Sequence, residues 1–233
     1  MRDLAVRTSF GPELISDFRL LTHIQIDSVT SLQKVFRLLH KEYQVPHVVI
    51  SSIPLSNALA MTIPEWLRTV SSASVVATES PNVGESLLCV TSSALAEDSK
   101  VPSVVHALHI PRIPGYFSGV GDLFSSLVLA HFHPSSTVND PSQTPLSSAV
   151  TKSCQTTHAL LWRTHRYSMS LPEEDRTDSD AELDSRDIDR KVKRMKGREL
   201  RLVKEQSLIL GKGLDSDGGG LQRMRAWSQF WDS

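Results

Sequence analysis

The sequence predicts an α/β fold with a central, mostly parallel sheet and flanking helices. Residues 28–41 have the apolar spacing of one helix face, and the β-branched run at 47–52 follows directly as a short buried strand. A helix followed by an apolar strand is typical of a parallel sheet that is covered on both faces. A glycine-containing turn at 115–121 then leads into another helical pattern. The chain of 233 residues is long enough for one sizeable domain of this class.

Two further strands and a long helix follow from the apolar patterns. Residues 86–93 and 104–110 are expected to pair antiparallel through the polar turn between them. Residues 146–167 have a helical stripe, and 199–203 alternates like a half-buried strand.

Several segments are expected to lie outside the packed domain. Residues 1–19 form a divergent N-terminal segment, and the domain itself runs over 20–210. Within it, 53–84 and 168–189 are polar enough to be flexible surface inserts. Residues 211–233 are expected to form a flexible tail, whose apolar residues at helical spacing leave docking on the domain open.

Composition argues against several classes of protein. The formal net charge is −1, so the whole chain has no strong attraction to nucleic acid or to an anionic membrane. Cys89 and Cys154 are too few and too far apart for a disulfide framework, which favours a reducing compartment. No apolar run approaches the roughly 20 residues that span a bilayer, and the start lacks the apolar core of a signal peptide. We expect a cytoplasmic protein, and the basic run at 190–198 leaves a nuclear location open.

The candidate site centres on the residues G-V-G-D at 119–122. Gly119 and Gly121 allow backbone angles closed to other residues, and the amides of Gly119, Val120 and Gly121 would lie at a helix N-terminus, which attracts anions. Asp122 is placed where a carboxylate could take the proton of a hydroxyl that attacks a phosphoryl group. The alternative is a simple turn with Asp122 as helix N-cap.

Ser51 and Ser52 close the strand predicted at 47–52. The carboxyl end of a strand is where open α/β sheets bind ligands. The two hydroxyls are therefore candidates for contact with a ligand, or they close a turn.

Histidine pairs do not predict a metal site. His106 and His109 are three residues apart on an expected strand, so they face opposite sides, and we expect both at the surface or at an edge. His131 and His133 have no acidic or cysteine partner at ligand spacing. No metal-ligating residue is predicted.

Two stretches resemble one family. The string F-S-G-V-G-D-L-F at 117–124 is similar to the G-T-G-D segment of pyridoxal kinases, members of the ribokinase-like superfamily. The string E-L-R-L-V at 199–203 is similar to the R-E-L-R-L-V-Q segment near their C-terminus, especially in fungi. The resemblance runs over about 20–210 and corresponds to the C-terminal half of the family. It implies a ribokinase-like three-layer fold, truncated at its N-terminus.

The resemblance implies an activity and a mechanism. The activity is ATP-dependent phosphorylation of the 5′-hydroxymethyl group of pyridoxal, pyridoxine or pyridoxamine. Asp122 would be the catalytic base, and Gly119, Val120 and Gly121 would form the anion hole. Val120 stands where the family has Thr, which removes a hydroxyl that would contact a phosphate or a cation.

The resemblance also implies ligand contacts. Ser51 and Ser52 would touch the nucleotide phosphates, while Ile113 and Phe117 would wall the adenine site. ATP and Mg²⁺ are implied, and a monovalent cation is left open. The partners would be ATP and a vitamin B6 vitamer, with a homodimer left open.

Two alternatives remain at this point. The chain could be a truncated, catalytically silent relative that acts at most as a binding or oligomerisation partner. It could also belong to the same superfamily and act on a hydroxymethylpyrimidine or a sugar, although the segment at 199–203 favours pyridoxal.

Overall fold

The computed structural model describes residues 5–7, 22–68, 86–115, 117–173, 176, 185–214 and 221–232. Most of the divergent N-terminal segment lies outside these residues, as do large parts of the two predicted inserts, so the expectations for those parts stay predictions. No helix in the described part of the chain is long and apolar enough to cross a membrane.

The described strands form one sheet in the order β1-β2-β3-β4-β5. Of its four pairings, the one between β1 and β2 is parallel and the other three are antiparallel. The antiparallel pair predicted at 86–93 and 104–110 is confirmed, but a mostly parallel sheet is not found among these strands. The short turn at 95–102 can join antiparallel neighbours only, which accounts for the pairing of β3 with β4. The strands are β1 Ala5–Arg7, β2 His47–Pro54, β3 Ser86–Ala94, β4 Ser103–Pro111 and β5 Arg225–Ala226.

Helices cover both faces of the sheet. Ser28 caps the first one through a capping box with Ser31, and a π-helical turn, Leu38–Glu42, extends it. The helix predicted at 146–167 is confirmed and begins at a cap formed by Thr144. The helices are α1 Val29–Arg37, α2 Asn57–Thr62, α3 Glu65–Arg68, α4 Val120–His131, α5 Pro145–Ser170, α6 Ile188–Arg198 and α7 Gln206–Ile209.

Alternation along the strands divides the core into two layers, because successive side chains point to opposite faces. One layer packs against α1, α2 and α3, and the other packs against α4 and α5. The predicted class, a sheet between two layers of helices, is therefore confirmed. The strands contribute Ile50, Val90 and Ala107 to the first layer and Val49, Cys89 and Leu108 to the second.

The expectation of a flexible polar insert at 53–84 is wrong for its described part. Residues 53–68 complete β2 and form α2 and α3. Leu55, Leu59, Ile63 and Leu67 are all buried in the first core layer. They recur every fourth position, which is a helix-like apolar stripe set among Ser, Pro and Asn residues.

The expectation of a flexible tail at 211–233 is wrong for residues 221–232. Leu221, Met224, Trp227 and Phe230 are buried, three residues apart, and β5 adds to the edge of β4. The side-chain amide of Gln33 donates to the Phe230 carbonyl at 2.5 Å. The segment is held because its apolar residues complete both core layers.

The half-buried strand expected at 199–203 is not formed. Glu199 makes one isolated bridge with Ser118, and turns follow that lead into α7. Val203 is 79% exposed. A short alternating pattern without a neighbouring strand to pair with does not suffice for a strand.

The rings of two histidines, His106 and His40, are hydrogen-bonded within the fold. His106 was expected at the surface or an edge, but it is 1% exposed and its Nε2 lies 2.9 Å from the Ser142 carbonyl. The ring of His40 bridges the Val45 carbonyl and the Ser92 hydroxyl. Burial lowers the pKa of both rings, and the hydrogen bonds to the carbonyls oppose that shift.

The C-terminal segment gives a first prediction. Phe230 is fully buried against Phe36 and Trp227, so Phe230→Ala should lower the free energy of unfolding by about 3–5 kcal/mol. Asp232→Ala, at an exposed position two residues away, should change it by less than about 0.5 kcal/mol. Urea denaturation of the two variants measures the difference. Equal stabilities would contradict the packed position of this segment.

These two histidines give a second prediction. The unfolded chain takes up protons on these rings below about pH 6.5, whereas the folded chain resists them until its lower pKa is reached. The free energy of unfolding should therefore fall as the pH drops below about 6.5. Thermal melts of His106→Gln between about pH 7.5 and about pH 5.5 should show a smaller fall than wild type. An identical fall would show that His106 does not contribute to the pH dependence.

Candidate functional site

A cavity of about 290 Å³ opens at one end of the sheet, where β2 and β4 finish and β3 begins. Its remaining walls come from the segment that leads into α4 and from the middle of α5. The lining is mainly apolar and includes Leu87, Ile110, Phe124 and Leu161. Arg112, His158 and the thiol of Cys154 are the ionisable side chains in its described lining.

A break in the strand ladder brings Ser51 and Ser52 to this cavity together. Ile50 pairs with Val90 and Ile53 pairs with Leu88, so β2 has one residue more than β3 over this stretch. In a regular strand two successive side chains would face opposite sides, whereas the bulge lets both serines line the cavity. Their hydroxyl oxygens lie 3.2 Å apart and both residues are buried.

The glycine turn stands directly beside the cavity. Gly119 is the N-cap of α4 and has a φ of 81°, a left-handed conformation that other residues rarely adopt. Val120, the first residue of α4, is buried and lines the cavity. The amides of a first helical turn have no partner within their own helix, and they form the positive end of the helix dipole. The turn therefore presents an anion-attracting end of α4 next to an apolar cavity.

Asp122 lies in the first turn of α4 and is exposed to solvent. It is not part of the cavity lining, and neither are Gly119 and Gly121. Ile113 and Phe117, by contrast, do line the cavity. The predicted residues therefore fall into two groups. Ser51, Ser52, Ile113, Phe117 and Val120 line the cavity, which we call the chamber. Gly119, Gly121 and Asp122 lie beside it at the start of α4, and we call this group the polar rim.

Contacts from two helices hold the glycine turn in place. The Phe117 ring packs edge-on against His165 of α5, with ring centroids 6.5 Å apart. Burial lowers the pKa of His165, against a hydrogen bond with the Pro114 backbone that raises it. The Ser118 amide donates to the Arg198 carbonyl at 3.3 Å, at the end of α6. Contacts with α5 and with the end of α6 thus hold Phe117 and Ser118, the two residues directly before the N-cap of α4.

Four residues of the lining come from one stripe of α5, which the sequence reasoning did not assign to a site: Cys154, Thr157, His158 and Leu161. Their spacing of three to four residues is the signal that they share a helix face. Cys154 is buried. Its sulfur lies 3.9 Å from that of Cys89, and this contact, followed by burial, raises the pKa of the Cys89 thiol.

No metal centre forms among the described residues, where no group of three or more His, Cys, Asp or Glu side chains is placed to hold an ion. This includes the pair His131 and His133. The nearest carboxylate to the glycine turn in the sequence is that of Asp122.

A named protein is similar in sequence to part of this chain. No family model matches the chain. A Schizosaccharomyces pombe protein named "Putative pyridoxal kinase" is 30% identical over 129 residues, which are 55% of this chain and 30% of that protein.

Solved structures agree in fold. Pyridoxal kinase from Leishmania donovani in complex with ADP gives a TM-score of 0.56 at 15% identity, over 96% of this chain and 51% of that chain. Pyridoxal kinase from Trypanosoma brucei gives 0.51 at 16% identity, over 96% and 50%. The chain spans about half the length of these structures. In sequence, part of the chain is similar to a protein named "Putative pyridoxal kinase", and its fold is similar to about half of the pyridoxal kinase structures.

Proposed function

We propose that this chain is the nucleotide-binding and phosphoryl-transfer half of a kinase for vitamin B6. The reaction transfers the γ-phosphoryl group of ATP to the 5′-hydroxymethyl group of pyridoxal, pyridoxine or pyridoxamine. The observation that carries the proposal is the apolar cavity joined to the N-terminus of α4, with Asp122 in the first turn. The Leishmania donovani kinase has been solved with ADP, with ADP and pyridoxamine, and with ADP and pyridoxine, which supports the ligand classes.

The nucleotide would lie across the boundary between chamber and rim. Its base has flat apolar faces and suits the chamber, between Ile113 and Phe117. Its phosphates would meet the hydroxyls of Ser51 and Ser52 and the amides of Gly119 to Gly121, because anions are stabilised at a helix N-terminus. The exposed position of Asp122 suits a substrate that approaches from outside the chamber.

The chemistry then requires one proton transfer and one substitution at phosphorus. The Asp122 carboxylate accepts the proton of the 5′-hydroxyl as that oxygen bonds to the γ-phosphorus. The bond from the γ-phosphorus to the oxygen that bridges it to the β-phosphorus breaks, and ADP leaves with that electron pair. The amides of Gly119, Val120 and Gly121 would stabilise the charge on the transferring group.

Mg²⁺ is proposed to enter with ATP. Mg²⁺ in such sites is bound largely by substrate phosphates and by water, so most of its ligands would come from ATP and solvent. The described residues offer no ligand cluster for a resident ion, so no step is assigned to one. A cytoplasmic location and a homodimer complete the proposal. The domain itself extends beyond the predicted limits 20–210, because β1 and residues 221–232 belong to its sheet and core.

The catalytic base gives a third prediction. ADP release by the 233-residue chain with Mg-ATP should depend on pyridoxal, and Asp122→Asn should lower kcat by about 10²- to 10⁴-fold, the usual contribution of a general base. Nucleotide affinity should stay near wild type, because the carboxylate lies outside the chamber. The matched control is Asp98→Asn, at an exposed position in the turn between β3 and β4, which should keep full turnover.

Two results would contradict parts of this proposal. Equal kcat for Asp122→Asn and wild type would remove Asp122 from the role of base. A folded chain that binds ATP without pyridoxal-dependent ADP release would instead support the silent binding partner.

A further inference from the structure

One buried hydroxyl in the cavity wall has no hydrogen bond. Thr157 lies on α5, lines the cavity and is 2% exposed. Its Oγ1 has no partner among the residues that the structure describes. Buried hydroxyls nearly always make a hydrogen bond, because burial otherwise removes their hydrogen bonds to water without replacing them.

Three other buried hydroxyls of the same helix show a hydrogen bond that was available to Thr157. Thr151, Ser153 and Thr164 each donate to the carbonyl four residues earlier, at 2.8 to 2.9 Å. This bond is available to a helical Ser or Thr in the right rotamer. Thr157 does not make it, although it lies on the same helix.

The surroundings of Thr157 restrict the kinds of ligand that could hydrogen-bond to its hydroxyl. Ile113, Phe117 and Leu161 line the same cavity with apolar groups, which suit the faces of a flat ring. A hydroxyl in such a wall can donate to a ring nitrogen or accept from an exocyclic amino group. A purine base offers both groups on its edge, together with two apolar faces.

We infer that the Thr157 hydroxyl hydrogen-bonds the polar edge of the nucleotide base and selects a heteroaromatic base over an apolar ring. The inference rests on the proposed function, which places a nucleotide in this cavity. It adds a residue that determines the specificity of the site and takes no part in the chemistry at phosphorus. Because a hydroxyl both donates and accepts, Thr157 does not by itself separate adenine from guanine.

Thr157→Val provides the test, because Val keeps the shape and removes the hydroxyl. The Kd for Mg-ATP, measured by calorimetry, should rise about 3- to 10-fold, the effect of one hydrogen bond between neutral groups. The Tm of the ligand-free protein should rise as well, since an unbonded polar group leaves the interior. If Thr157 had only a structural role, Thr157→Val would not both weaken ATP binding and raise the Tm. Inorganic tripolyphosphate lacks a base and should bind wild type and variant equally.

Two further variants serve as controls. Thr157→Ser keeps the hydroxyl and should bind Mg-ATP within about twofold of wild type. Thr164→Val removes a hydroxyl that donates to the Leu160 carbonyl and accepts from the Arg201 amide, so it should lower the Tm and leave the Kd unchanged.

The possible failures are distinguishable. ATP binding of equal strength in wild type and Thr157→Val would overturn the role of Thr157 and leave the proposed function intact. No binding of Mg-ATP or tripolyphosphate by the folded wild-type chain would overturn both.

Discussion

The bulge in β2 is the local constraint on which the geometry of the site depends. It interrupts the ladder with β3 between Ile50 and Ile53, at the end of the strand that borders the cavity. A regular ladder there would direct Ser51 and Ser52 to opposite faces of the sheet. With the bulge, two adjacent hydroxyls reach the same cavity, beside the turn that begins α4. The strand loses regular pairing at this point, and the cavity gains two adjacent hydroxyl groups in a mainly apolar lining.

A second constraint is the different character of the two halves of the site. The chamber is lined mainly by residues from β2, β4, α4 and α5, and three of them, Ile110, Phe124 and Cys154, also belong to the second core layer. The polar rim depends on backbone groups and on Asp122, which is exposed. Affinity for a base and chemistry at phosphorus would therefore respond to different substitutions. This separation allows nucleotide binding and turnover to be measured independently in one chain.

Much of the fold and part of the site could be predicted from the sequence. The glycine turn, the helix after it and the antiparallel pair were clear because each is a local pattern of continuous residues. The bulge was not, since it depends on the register between β2 and β3, which are more than 30 residues apart. The α5 stripe was visible as a helix face, but no local signal shows that its Thr157 faces a cavity. The apolar residues of 53–68 were hidden by the polar residues between them.

The C-terminal segment shows the limit of composition as a guide. Residues 221–232 contain two buried aromatic side chains, Trp227 and Phe230, and follow a run of three glycines in the sequence. The glycines suggested a flexible tail, but the spacing of the apolar residues decides the outcome. Leu221 and Met224 belong to one core layer, while Trp227 and Phe230 belong to the other. The segment therefore crosses from one face of the sheet to the other along the edge of β4, where β5 pairs with it.

The bond between Gln33 and the Phe230 carbonyl joins residues that are 197 positions apart. During synthesis, α1 therefore emerges long before the aromatic residues that cover it. Until residues 221–232 leave the ribosome, the edge of β4 and the buried face of α1 lack the cover that these residues provide, and such surfaces promote association between incomplete chains. A product that stops short of Trp227 would therefore be a substrate for chaperones and proteases.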